Sequence, residues 1–257
     1  MNQAMNCTRR DFIKLSAISG ALALSGGVLQ AGCSARAPKE EQAGPLAHIA
    51  SGGLIRPPGA LPENSFRAKC VSCGVCVNVC HAMSYDAVAV AGIGALRNFG
   101  TPFIKDMRDF PCTLCMECPR HCPTGALVAV EKEKVAMGRA LIDFSLCFGW
   151  NGDVCLSCSK ACPLGAKVFD FYNGAWGNQP YINDQCVGCG LCVKYCPLGG
   201  SAIKVVTRGH YRVAGPAYTA EFTRLLAMPH EERYAVIYGQ NLPQIMARGR
   251  LVEREYR

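Results

Sequence analysis

Four cysteine runs govern what this chain can fold into. Sixteen of its 18 cysteines fall into Cys70, Cys73, Cys76 and Cys80; Cys112, Cys115, Cys118 and Cys122; Cys147, Cys155, Cys158 and Cys162; and Cys186, Cys189, Cys192 and Cys196. The first, second and fourth runs share the spacing C-x2-C-x2-C-x3-C, while the third opens its first gap to seven residues. A disulfide framework ties distant segments of a secreted chain together, which four thiols crowded into one loop do poorly. Zinc is held by two separated C-x2-C pairs and leaves a third cysteine two residues on without a role. A four-iron cubane takes a thiolate at each corner. A tightly turning loop reaches three of them, and in two-cluster ferredoxins the fourth cysteine crosses to the neighbouring cluster. Pro123, Pro163 and Pro197 follow the fourth cysteine as in the bacterial ferredoxin run, whereas the first run continues into His81. The spacing therefore points to four [4Fe-4S] clusters with the sixteen cysteines as iron ligands.

The runs begin at residues 70, 112, 147 and 186, so a unit recurs at ferredoxin-half length. Short apolar stretches follow three runs, at Ala126–Val130, Lys167–Phe171 and Ala202–Val206, and Ala140–Phe144 leads into the third; these read as strands. Short helical turns are expected within or just after the ligand loops. The expected fold class is α+β: two ferredoxin-like 2[4Fe-4S] modules, loop-rich, with short strands and helices. The clusters replace much of the missing core, so a cluster-free chain should fold poorly.

Thr8-Arg9-Arg10-Asp11-Phe12-Ile13-Lys14 resembles the twin-arginine export signal, and a mild apolar stretch, Leu15 to Leu29, follows it. That stretch is too short and too mild for a spanning helix. The twin-arginine route exports folded proteins, so clusters can be inserted before the chain meets an oxidising compartment. A periplasmic location follows as an expectation. Leu29 to Cys33 is similar to a lipoprotein box in which Cys33 is acylated, but Gln30 stands where that pattern has Leu; ordinary cleavage nearby or an uncleaved anchor competes. The expected organisation is a signal segment over 1–33, a polar linker over 34–53, a four-cluster domain over 54–213 and a C-terminal extension over 214–257.

The formal charge is +8, of which residues 1–32 contribute two. Each oxidised cubane with four thiolates adds about −2, which brings the loaded chain near neutrality and gives no reason to expect nucleic-acid binding.

Leu54-Ile55-Arg56-Pro57-Pro58-Gly59-Ala60, Glu63-Asn64-Ser65-Phe66, Phe99-Gly100-Thr101-Pro102, Arg108-Asp109-Phe110-Pro111-Cys112 and His210-Tyr211-Arg212 resemble segments of the NapG/MauM-type periplasmic ferredoxins, over roughly residues 8 to 213. The resemblance implies an electron-transfer subunit of a quinol dehydrogenase. It would take electrons from a membrane-bound NapH-like quinol-oxidising iron–sulfur partner and pass them toward a periplasmic haem protein or reductase, typically nitrate reductase. It implies no catalytic residue and no substrate site of its own. MauM-type relatives belong to methylamine-utilisation systems, where a maturation or accessory role is the competing expectation. A further resemblance, to the four-cluster subunits of molybdenum oxidoreductases, implies nested ligand sharing. Cys196 would join Cys70, Cys73 and Cys76, and Cys80 would join Cys186, Cys189 and Cys192. Likewise Cys162 would join Cys112, Cys115 and Cys118, and Cys122 would join Cys147, Cys155 and Cys158. Sequential sharing is the competitor.

Gly74, Gly149, Gly188 and Gly190 stand where ligand loops must turn tightly. Phe148 and Trp150 are expected to shield a cluster from water, and His81 and His121 read as surface histidines. Gly92-x-Gly94 lacks the third glycine of a dinucleotide fingerprint, and no nucleophile–base constellation is evident. In the tail, Glu221–Met228 and residues 241–251 read as helical, either packed on the ferredoxin core or docking on a membrane partner.

Overall fold

Each cysteine run folds as an extended loop that closes into a short helix, of eight residues in the first run and four or five in the others. The computed structural model describes residues 53–174 and 177–235. The expected signal segment, nearly all of the linker, Cys33 and the helix over 241–251 lie outside the described residues.

Helix α1 (Glu63–Lys69) precedes the first run; Glu63 in its first turn and Arg67 and Lys69 in its last complement the helix dipole, and Phe66 is fully buried. The runs then supply α2 (Val75–Ala82), α3 (Glu117–Arg120), α4 (Ser157–Ala161) and α5 (Leu191–Lys194). After the first run, β1 (Val88–Val90) pairs antiparallel with β2 (Pro102–Ile104), Val88 opposite Ile104. After the third, β4 (Phe169–Gly174) pairs antiparallel with β5 (Gly177–Ile182), Phe169 opposite Ile182. A third two-stranded sheet joins β3 (Arg139–Ile142), before the third run, to β6 (Ile203–Val206), after the fourth.

The segment 126–130 was expected to be a strand, yet it makes only an isolated bridge, Leu127 to Ala60. Two flanking bonds support it: Leu61 N–H donates to Ala126 O at 3.1 Å, and Val128 N–H to Gly59 O at 2.8 Å. The partner segment cannot extend the ladder. Pro57 and Pro58 have no N–H to give, and Gly59 turns away at φ +73°. Even so, the pairing resembles that of β3 with β6. In both, the stretch after a run returns to the segment before the preceding run.

A two-stranded sheet is marginal alone, and burial supplies what the sheets lack. One core joins Phe66, Leu114, Val135, Leu141, Ile142, Val168 and Ile182, with eight of the sixteen cysteines inside it and four more packed against it. The 20-residue helix α6 (Arg208–Ala227) is capped by Thr207, whose hydroxyl accepts from His210 N–H, and short α7 (His230–Tyr234) follows. The boundary expected at 213/214 falls inside α6. Tyr218, Phe222 and Leu225 are buried, and Phe222 meets Tyr181 at 4.2 Å and Trp150 at 5.8 Å between ring centroids. This part of the extension is thus continuous with the core, because its apolar positions recur at helical spacing and find the rings of Phe144, Trp150, Tyr172 and Tyr181. Among the described residues no helix is long and apolar enough to cross a membrane.

Candidate iron–sulfur sites

The sixteen cysteines of the runs are free, and they converge as four sets of four around four cavities. Cys70, Cys73, Cys76 and Cys122 ring site 1, of about 410 Å³. Cys80, Cys112, Cys115 and Cys118 ring site 2, of about 330 Å³. Cys162, Cys186, Cys189 and Cys192 ring site 3, also about 330 Å³. Cys147, Cys155, Cys158 and Cys196 ring site 4, of about 350 Å³.

This grouping corrects the nested expectation. Cys80 and Cys122 are exchanged between the first and second runs, and Cys162 and Cys196 between the third and fourth. The cause is the helical turns. Cys76 and Cys80 both sit on α2, four residues apart, so one turn that delivers Cys76 to its own site carries Cys80 to whatever packs beside it. What packs beside α2 is α3, and α4 packs beside α5. The two pairs of sites meet where Cys112 N–H donates to Cys189 O at 2.9 Å, linking site 2 to site 3. Arg108 adds to this seam by donating to Val193 O and Cys196 O, both at 2.9 Å.

Backbone shape repeats within the three regular runs. The residue two past the first cysteine has positive φ (Ser72, Leu114, Gly188), and so does the residue one past the second (Gly74, Met116, Gly190). Leu114 and Met116 hold this left-handed shape at a cost of about 1 kcal/mol or more each, which persists only where surroundings impose it. Gly149 differs from the expected turning role. Its φ is not positive, and its lack of Cβ serves close packing, since a Cβ there would lie 2.5 Å from Asn178 O.

Backbone amides face the sulfurs. Ala87, Leu127 and Ala202 donate to the fourth cysteines Cys80, Cys122 and Cys196 at 3.3, 3.5 and 3.3 Å, and Ala140 donates to Cys186 at 3.4 Å. Burial pushes the thiols of Cys76 and Cys189 up to about 11 and those of Cys112 and Cys158 to about 12, with neighbouring cysteines adding to the rise. Cys122 goes the other way. Burial raises it, but the Leu127 amide and the Thr124 hydroxyl together hold it below the usual thiol value. A protonated thiol must shed its proton to bind iron.

The donor sets fit a cluster better than one ion. Sulfurs around a single zinc stand about 3.8 Å apart for bonds of about 2.3 Å, and among the described residues no group of His, Cys, Asp or Glu is drawn together to hold one metal ion. Thiolates around an open cavity, with amide donors behind them, suit an iron–sulfur cube.

The remaining expected residues divide. Phe148 lines site 4, but Trp150 turns away into the aromatic core, donating from Nε1 to Pro180 O at 3.0 Å. His81 is exposed and bonds Asp86 Oδ1 at 2.7 Å, which holds that carboxyl below its ordinary value; His121 Nδ1 bonds Glu117 O at 3.0 Å. Sequence reasoning missed Arg56 as a structural centre. It is buried, donates to Glu63, Asn98, Thr101 and Pro102, and lies over the Phe66 ring at 4.8 Å. Its setting inside Arg-Pro-Pro-Gly-Ala was the available signal.

Cysteine cages of this kind define a ferredoxin-type iron–sulfur protein, and the comparisons agree. Residues 111–166 match the 4Fe-4S dicluster domain family, and residues 67–86 and 180–199 match 4Fe-4S binding domain families. The methylamine utilization ferredoxin-type protein MauM of Methylorubrum extorquens is 38% identical over 164 residues, 60% of this chain and 73% of the relative. The ferredoxin-type protein NapG of Escherichia coli is 37% identical over 170 residues, 61% of this chain and 72% of the relative. NapG of Haemophilus influenzae is 31% identical over 225 residues, 72% and 79%. No solved structure matches. The chain belongs to the NapG/MauM family of ferredoxin-type proteins, and carries 4Fe-4S clusters for electron transfer. The dicluster match spans the second and third runs, whose fourth cysteines nevertheless serve different neighbours here. A match of spacing follows chain order, whereas ligand sharing follows which loops meet.

Proposed function

We propose that this protein is a periplasmic electron carrier with four [4Fe-4S] clusters in two modules, one built on the first two runs and one on the last two. The ligands are the four cysteine sets of sites 1 to 4. The observation that carries this is the closure of four separate four-cysteine cages in a single chain. The clusters, when bound, supply one-electron redox centres. The chain's own residues bury those centres, exclude water with Phe66, Val88, Ile142 and Val168, and direct amide N–H groups at the sulfurs, which are the means of tuning potential. The sites succeed one another as 1, 2, 3 and 4, with the Cys112–Cys189 bond at the middle. That succession suits passage from one end of the molecule to the other.

The source of electrons in this proposal is a membrane-bound NapH-like quinol-oxidising partner, and the destination a periplasmic haem protein or reductase. Export by the twin-arginine route, with Cys33 lipidation as an additional tether, belongs to the same proposal. The equal similarity to MauM and NapG leaves the shared part, the cluster relay, as the core of it. The rival assignment, a cluster subunit of a molybdenum oxidoreductase, shares the same cysteine plan; the Arg56–Ala60 and Gly100–Pro102 matches weigh against it, and so does the sequential sharing, since resemblance to that class implies nested sharing.

Anaerobic purification from the periplasmic fraction tests the proposal. About sixteen irons per chain are expected, in centres that membranes carrying the quinol-oxidising partner reduce. A colourless protein, or centres that no quinol can reduce, overturns it.

A further inference from the structure

The loop between β1 and β2 combines features that the ferredoxin relay does not use. Ile93, Leu96 and Phe99 are 77%, 84% and 61% exposed, and Val71 of the first run is 65% exposed. Large apolar side chains mostly exposed to water as a group mark a binding surface. The base of the loop is nonetheless fixed. Ala91 and Thr101 pair through Ala91 N–H to Thr101 O at 2.9 Å, Gly100 N–H returns to Ala91 O at 2.9 Å, and Arg56 holds Asn98 Oδ1 at 2.8 Å. The loop also abuts site 1. Gly100 lies so close to Ser72 that an added Cβ would sit 2.8 Å from its hydroxyl, and Val71, Val90 and Gly100 share the cavity wall. Of the sixteen run cysteines, Cys73 in this site is the exposed one.

Charge defines the occupant. Arg67, Lys69 and Arg97 are exposed and make no salt bridge among the described residues. No Asp or Glu occurs between Glu63 and Asp86, or between Asp86 and Asp106. Those flanking carboxylates are themselves engaged: Glu63 holds Arg56, Asp86 holds His81, and Asp106 Oδ1 accepts from the Arg108 backbone N–H. The surface is therefore apolar and cationic with no free carboxylate in its sequence. A protein partner of ordinary affinity needs about 800 Å² of complementary surface on each side. A few apolar side chains on a small loop, alternating with Gly92, Gly94 and Ala95, suit shallow insertion at a bilayer's headgroup boundary instead, with cations at the level of anionic phosphates.

We propose that the loop 92–99, with Val71 beside it and Arg67 and Lys69 in the last turn of α1 just before Val71, is a membrane-docking surface. It takes anionic phospholipid headgroups and inserts Ile93, Leu96 and Phe99 at the bilayer interface, holding site 1 and Cys73 close to the membrane. That this end receives electrons rests on the relay proposed above; the lipid binding itself does not.

The test is co-sedimentation of the anaerobically purified full chain with phosphatidylcholine vesicles, with and without phosphatidylglycerol. Binding to the phosphatidylglycerol vesicles is expected to weaken with added salt. It is also expected to fall about tenfold or more in Leu96→Asp, Phe99→Ser and Arg97→Glu, with iron content equal to the parent protein. Comparison among variants that share one N-terminus removes any contribution from that segment. Ile93→Ser supplies a milder change if Leu96→Asp loses iron. Equal binding by parent and loop variants overturns the proposal, and so does binding indifferent to phosphatidylglycerol. Loop variants that bind vesicles normally, but accept electrons slowly from a detergent-solubilised quinol-oxidising partner, would make the surface a protein interface and also overturn it. Failure of the relay has a separate readout, the absence of reducible centres.

Discussion

The Arg56 guanidinium donates to Thr101 Oγ1 at 2.8 Å, joining pieces of chain 45 residues apart. The same group grips both carboxylate oxygens of Glu63 at 2.6 and 3.0 Å and the carbonyl of Pro102 at 2.8 Å. Phe66, Gly100 and Pro102 form part of the wall of site 1, so this one side chain sets the wall's position. Arg56→Ala should cost about 2–3 kcal/mol, below the figure for a fully buried pair because water can reach half-exposed Glu63. Site 1 should release its iron first on warming, leaving the other three. Arg56→Lys should rescue little, since an ammonium cannot serve a planar fork of acceptors. Iron content and visible absorbance during a thermal ramp read both variants; uniform loss from all sites would show that Arg56 does not act locally.

Sequential sharing makes a spectroscopic forecast. Cys80→Ser and Cys112→Ser should perturb one and the same EPR signal, because both thiols ring site 2. Cys122→Ser should perturb the signal altered by Cys73→Ser, and Cys196→Ser that altered by Cys155→Ser. Pairing of the Cys80 effect with that of Cys186→Ser would restore the nested plan.

The ligand runs were legible in the sequence because a loop that wraps one cluster is a local object, fixed by spacing alone. So were β3 and β6, whose apolar residues sit in short stretches bounded by turns. What could not be read was non-local. Which run receives Cys80 depends on α2 packing beside α3. Whether Leu127 joins a ladder depends on Pro57 and Pro58 lacking amides. The end of the domain was misplaced because similarity faded near Arg212, while the helical spacing of Tyr218, Phe222 and Leu225 continued past it. Arg56 was visible as part of a motif, but its acceptors come from α1, the loop before β2 and β2 itself.

Two glycines with nearly the same φ separate strain from crowding. Gly74 and Gly188 have φ of +75° and +77°. A Cβ at Gly74 meets nothing within 4 Å, whereas one at Gly188 would stand 2.6 Å from the backbone of Gly138. Gly74→Ala should therefore cost only the left-handed penalty, about 1–2 kcal/mol. Gly188→Ala must also push apart two backbones and should lose the centre at site 3, which Gly188 lines. Iron per chain and the number of reducible centres in an EPR titration distinguish them. Equal losses in the two variants would mean that backbone shape alone governs both.

Tyr218 ties α6 to the sheet beside site 4. Its hydroxyl oxygen accepts from Ile142 N–H at 3.1 Å, and its ring stacks on Phe144 at 5.0 Å. Burial drives the phenol well above its ordinary value. The folded chain thus keeps this proton at pH values where the unfolded chain has lost it. The contribution to stability is complete below about pH 10 and is lost as pH rises through the folded value. Tyr218→Phe keeps the ring but leaves the Ile142 amide without its acceptor, costing about 1–3 kcal/mol at neutral pH. The variant should also be less sensitive to alkali, because the ionisation that favours unfolding is gone. Rates of cluster bleaching at neutral pH and above pH 10 test both signs at once. A variant that bleaches faster at neutral pH, yet with the parent's full alkaline acceleration, would show that another group titrates in that range and that Tyr218 serves only as an acceptor.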